Sequence, residues 1–194
     1  MSIRMWMTAS LALAMMAVAA CDRQEDRRAT GTRPDDRHTT SRATTASSDQ
    51  DFMTLACQAN LAEIEAGRLA ESKGTNADVK KFAGHMVEDH TASNDQLTSL
   101  AEKLGFRLPT RPDDAHQNDA AKLAGMSGAE FDRKYAEMMV TDHQKAVALF
   151  EKWSKDAKHD DVRAWAEKTL PKLRDHLTMA RDLNSKVGGQ PSAD

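Results

Sequence analysis

Four ionisable residues stand out by position: Glu63, His90, His143 and His176. At 100° of rotation per residue, each falls within the apolar arc of the segment that carries it. Glu63 shares a face with Phe52, Ala56, Ala59 and Ala70. His90 lies within about 40° of Val79, Ala83, Met86, Leu97, Ala101 and Leu104. His176 is grouped with Val162, Trp165, Thr169, Ala180 and Leu183, while Asp142 and His143 flank the middle of a less clean stripe. Burying such groups without partners costs ~2–7 kcal/mol each. A shared cation satisfies them together, and neutral imidazoles with a carboxylate suit one divalent transition ion: Zn, Fe, Mn or Cu. Asp89 and Asp142, at the stripe edges, are placed to accept from histidines on adjacent helices and so orient them. The competing reading is a metal-free polar core in which Glu63 neutralises a buried histidine.

Other chemistries have less support. Met86, Met138, Met139 and Met179 recur at helical spacing, which core filling explains without a copper site. Cys57 has no nearby histidine and reads as a half-buried structural thiol. There is no glycine-rich phosphate loop, no Ser/His/Asp arrangement and no CxxC, so no catalytic motif is recognised. With 27 basic and 30 acidic residues the chain is slightly negative, which argues against a nucleic-acid partner bound by counterion release.

The elements that must position these groups are helical throughout, and alternating strand patterns are absent. A first helix is predicted over Asp51–Lys73 and ends at Gly74. A second begins at the capping-box-like Thr75-Asn76-Ala77-Asp78 and runs to Leu104, stopped by Gly105 and Pro109. A third opens at Ser127-Gly128-Ala129-Glu130 and reaches Asp156; a fourth spans Asp160–Lys186, with a kink expected at Pro171. The connection Phe106–Met126 is long, with room for a short helix at Asp114–Leu123. The expected fold is therefore all-α, a ferritin-like four-helix bundle with one long crossover between helices 2 and 3. Counting 1.5 Å per residue from the turns puts Glu63 and His90 roughly 17 and 24 Å deep, with His143 and His176 matching more closely. A repeat links the second and third helices: Phe82-Ala83 to Asp89-His90 and Tyr135-Ala136 to Asp142-His143 both read aromatic-Ala-x-x-Met-Val-x-Asp-His.

Residues 1–20 pair one positive charge, Arg4, with an apolar stretch, the pattern of a secretory signal. Val18-Ala19-Ala20-Cys21 resembles a bacterial lipobox, which would acylate Cys21 and tether the chain to a membrane. The alternative is ordinary cleavage with Cys21 incidental. Asp22 resembles an inner-membrane retention signal, so the expected location is the bacterial cell envelope, facing the periplasm. Residues 21–50 hold no large apolar side chain and read as a disordered tether to a domain at 51–187, with a flexible tail at 188–194. Homo-oligomerisation is left open, and no protein partner is indicated.

Phe82-Ala83, Met86-Val87, Asp89-His90, Phe131-Asp132, Tyr135, Asp142-His143 and Thr169-Leu170-Pro171 with His176-Leu177 together resemble a bacterial family of exported ferritin-like domains of unknown function. The resemblance covers Asp51–Asn184. It implies the ferritin-like bundle and no established activity. The sequence departs from ferritins and di-iron carboxylate enzymes, since no helix carries an inward Glu-x-x-His and His85-Met86-Val87-Glu88 is reversed and faces outward. A two-iron oxygen-activating centre and an iron-storage shell are disfavoured. The function expected is metal handling or stress protection, against a structural or interaction lipoprotein.

Overall fold

The computed structural model describes residues 48–188. The expectations for residues 1–20, Cys21, Asp22, most of the tether and the tail beyond Gly188 lie outside the described residues. Within them are five helices and no strand: α1 (Asp49–Lys73), α2 (Ala77–Leu104), α3 (Asp114–Ala124), α4 (Gly128–Asp156) and α5 (Asp160–Lys186).

Helix α1 starts two residues earlier than the apolar pattern implies, because Ser48 accepts from the Asp51 N–H and closes the first turn. Asn76, rather than Thr75, caps α2 by accepting from the Asp78 N–H. Ser127 makes no side-chain cap on α4, so the expected capping box does not form there. Gly105, at φ 71°, ends α2 in the left-handed region that glycine adopts without a Cβ penalty. Helix α5 runs on through Pro171 without a break.

Helix α1 packs along α2, and α4 along α5, across the short turns 74–76 and 157–159. Gly67 lets α1 and α2 approach closely: a Cβ there would lie 2.6 Å from Val87 Cγ2 and 3.2 Å from the Ala83 carbonyl. Carboxylates tie the two pairs end to end. Asp132, at the start of α4, accepts from the N–H groups of Thr75 and Asn76 in the α1–α2 turn. Asp49, at the start of α1, accepts from the N–H groups of Lys158 and His159 in the α4–α5 turn. Helices α1 and α4 therefore run antiparallel. So do α2 and α5, whose opposite ends meet through Lys103–Asp161 and Lys186–Asp78.

The apolar core is divided in two. One cluster gathers Phe52, Met53, Leu97, Phe150, Trp153 and Trp165; the other gathers Val79, Phe82, Met86, Phe131, Tyr135 and Leu183. On each of the four long helices buried polar residues lie in sequence between the two, namely Asn60 and Glu63 on α1, His90 on α2, His143 on α4 and His176 on α5, while Asp49, Asp132 and Asn184 are buried nearer the helix ends.

A candidate metal centre

The aromatic-to-histidine repeat brings like residues together. Phe82 and Tyr135 meet edge to face at 6.2 Å between centroids, and His90 and His143 lie 5.6 Å apart. His176 completes a triangle at 5.4 Å from His90 and 5.3 Å from His143. The three histidines are 6%, 1% and 2% exposed respectively, so all are buried. One nitrogen from each can be chosen so that all lie within 4.8 Å of one another.

Each ring is held from behind. His143 Nδ1 lies 2.8 Å from the Met139 carbonyl oxygen, which can only accept, so Nδ1 carries the proton. His176 Nε2 donates to Asp89 Oδ2 at 2.8 Å. His90 Nδ1 donates to Asn60 Oδ1 at 2.9 Å, while the Asn60 amide nitrogen points to Ser93 Oγ. Burial pulls the pKa of all three below the usual histidine value, that of His143 to about 4, and nearby positive charge pulls in the same direction, from the other triangle histidines at His90, from His176 at His143, and from His85 and Lys172 at His176. Neutral rings protonated on these outer nitrogens leave three lone pairs, on His90 Nε2, His143 Nε2 and His176 Nδ1. His90 Nε2 is buried and has no hydrogen-bond partner among the protein atoms. His143 Nε2 and His176 Nδ1 stand 3.3 Å apart. Between neutral rings that is lone pair against lone pair, which a shared cation turns from repulsive to attractive. Two nitrogens on one tetrahedral ion at about 2.05 Å would be separated by about 3.3 Å.

Asp89 is the hub on the solvent side. It accepts from His176 and from Lys172 Nζ at 2.6 Å, and His85 Nε2 lies 3.4 Å away. Burial alone would raise its pKa, but the Lys172 and His176 contacts hold it below the usual carboxylate range. A second trio, His85, Asp89 and His176, also has ligand atoms within 4.8 Å, but Lys172 already contributes the positive charge there.

Glu63 takes a different place from the one expected. Its Oε1 lies 3.6 Å from His143 Nδ1, the nitrogen facing away from the triangle, and it stands outside the three-nitrogen group. Its Oε2 is buried without a partner, and burial, reinforced by Asp142, lifts its pKa well above the usual glutamate value. Asp142 does not orient a histidine as Asp89 does. It sits partly exposed, 3.1 Å from Lys145, and the Met139 carbonyl serves His143 instead. Cys57 is buried rather than half-buried; its thiol donates to the Pro109 carbonyl and burial pushes its pKa up to about 11, which makes it unreactive. Asn60, which holds His90, carries no ionisable group, and its only mark in the sequence is its place three residues before Glu63 on the same helix.

A cavity of about 290 Å³ lies between α1 and α4 beneath α3, with His90, His143, Asn60 and Glu63 among its walls.

Residues 35–183 match a family described as a domain of unknown function, DUF4142. The chain belongs to the DUF4142 family. No curated protein matches it. Two solved structures share the fold of this DUF4142 domain. One is a DUF305 protein of Streptomyces coelicolor, described as secreted, with 11% identity and a TM-score of 0.63 over 77% of this chain and 100% of that one. The other is a DUF305 fragment from Deinococcus radiodurans, with 15% identity and a TM-score of 0.63 over 74% and 97%. At these identities the likeness concerns the helical fold alone. No helix among the described residues is long and apolar enough to cross a membrane.

Proposed function

We propose that this DUF4142 domain is an exported metal-binding bundle of the ferritin-like four-helix arrangement, holding one divalent transition ion on His90, His143 and His176. The observation that carries this reading is the convergence of three buried lone-pair nitrogens, each ring fixed by an acceptor on its far side. Zn, Fe, Mn or Cu all accept imidazole nitrogen. Asp89 and Asn60 orient two of the ligands, and Glu63 supports His143 from behind. The role is metal handling or stress protection rather than a defined turnover.

The test is metal analysis of tag-free protein, stripped and reloaded with each ion in turn. Wild type should retain one ion per chain, and His143→Ala and His176→Ala should lose it. Substoichiometric metal in wild type, unchanged in the variants, would overturn the metal reading in favour of a metal-free, hydrogen-bonded core.

Export rests on the apolar leader, and anchoring on Cys21, with Asp22 favouring the inner membrane. The secreted description of the Streptomyces neighbour supports export. Mass spectrometry should find Cys21 acylated in the wild type and no acyl group on the Cys21→Ser variant. An unmodified wild-type Cys21 would remove the anchor.

A further inference from the structure

The cavity beneath α3 has a composition that water does not explain. Its walls are mainly the small and apolar side chains of α1 and α4, among them Ala59, Ala62, Ala146, Leu149 and Met138. About 290 Å³ would hold about ten waters at roughly 30 Å³ each, and each needs two to four polar partners. Of the polar side chains on the walls, Asn60 and His143 are already engaged, Asp142 pairs with Lys145, Asp119 with Lys122 and His116 with Asp113, Thr169 donates to the Trp165 carbonyl, and Ser93 accepts from Asn60. His90 Nε2 belongs to the histidine triangle. That leaves Glu63 Oε2, buried and unpartnered, as the polar atom for an occupant to meet.

We infer that this cavity binds a small, neutral, largely apolar molecule with one hydroxyl or carbonyl oxygen, its polar end at Glu63 and its body along the alanine walls of α1 and α4. Size follows from volume. An apolar cavity of about 150 Å³ takes benzene, so this one suits about two fused rings or an aliphatic body of similar bulk. Neutrality follows from burial, because the cations on the walls are already paired and an anionic head would be desolvated there with no counter-charge. The inference goes beyond the metal reading and holds with or without an ion on the histidines.

The probe is 2-naphthol, titrated by calorimetry into the full chain, both chelator-stripped and metal-loaded. One saturable site is expected in both forms. 2-Naphthalenesulfonate, with the same rings and a fixed negative charge, should bind at least about tenfold more weakly. Ala59→Leu and Ala146→Leu add side-chain volume from opposite walls at partly exposed positions, so either one that keeps wild-type helicity suffices; each should weaken 2-naphthol about tenfold. Glu63→Leu should weaken it about fivefold, the value of one hydrogen bond. Absence of saturable binding, equal binding of the sulfonate, indifference to both wall substitutions, or indifference to Glu63→Leu would each overturn the assignment.

Discussion

His143 shows how much a single residue's surroundings decide. Burial holds its pKa at about 4, whereas the same side chain in the unfolded chain titrates near 6.5. Between those values the unfolded state binds the extra proton, so its contribution to stability is complete above about pH 6.5 and is lost as pH falls toward 4. His90 and His176 act in the same direction. Glu63 acts in the opposite one: with its folded pKa raised by burial, unfolding releases its proton above about pH 4.5, and stability declines as pH rises. Comparing wild type with His143→Asn, both metal-free, isolates the first effect. Urea midpoints at pH 7 and pH 5 should show wild type losing about 1–2 kcal/mol more than the variant on acidification. Parallel losses in the two proteins would mean that His143 is not held neutral. The same depression leaves the histidines ready to take an ion at pH 6 without first shedding protons, unlike a surface cluster.

Among the elements, the two end-to-end carboxylates carry more than their exposed neighbours. Asp132 satisfies two turn N–H groups and the Thr75 hydroxyl, and it joins the α4 start to the α1–α2 turn. Asp132→Ala removes a buried acceptor shared by three turn donors and should cost about 1–2 kcal/mol in urea unfolding, with Asp132→Asn costing less because its amide oxygen still accepts. The surface pair Lys103–Asp161, with both partners about half exposed, should cost well under 1 kcal/mol when broken. Equal losses for the two pairs would deny Asp132 its special place. The helices themselves were legible because apolar residues recur at 3.6-residue spacing, and the depth count set His143 level with His176. What the arcs could not resolve is the direction of a side chain inside the stripe. A rotation good to about 40° places Glu63 on the buried face but cannot tell the near nitrogen of His143 from the far one. It likewise gave Asp89 and Asp142 one role, because both lie at the edges of their stripes. Lys172 and His176 of α5 face Asp89, while Asp142 finds Lys145 on its own helix. The backbone acceptor of Met139 leaves no mark in a sequence at all.

Across the whole molecule, a polar layer divides two apolar clusters, and its three histidines come from three different helices. An ion there would join α2, α4 and α5 at mid-height, where the apolar packing is interrupted. Binding to the folded state alone stabilises by about 2.7 kcal/mol when free ligand is a hundredfold above its Kd. At about 2–4 °C per kcal/mol for domains of roughly 150 residues, the thermal midpoint should rise by about 5–10 °C on loading. His176→Ala should lose that increase while keeping its helical signal, because the Asp89–Lys172 pair and both apolar clusters remain in place. A rise of the same size in the variant would trace the effect to surface sites such as His85 or His116, which are accessible without the fold. The absence of a rise in wild type, for every ion tried, would show that the two halves of the core are held together by the histidines' own hydrogen bonds.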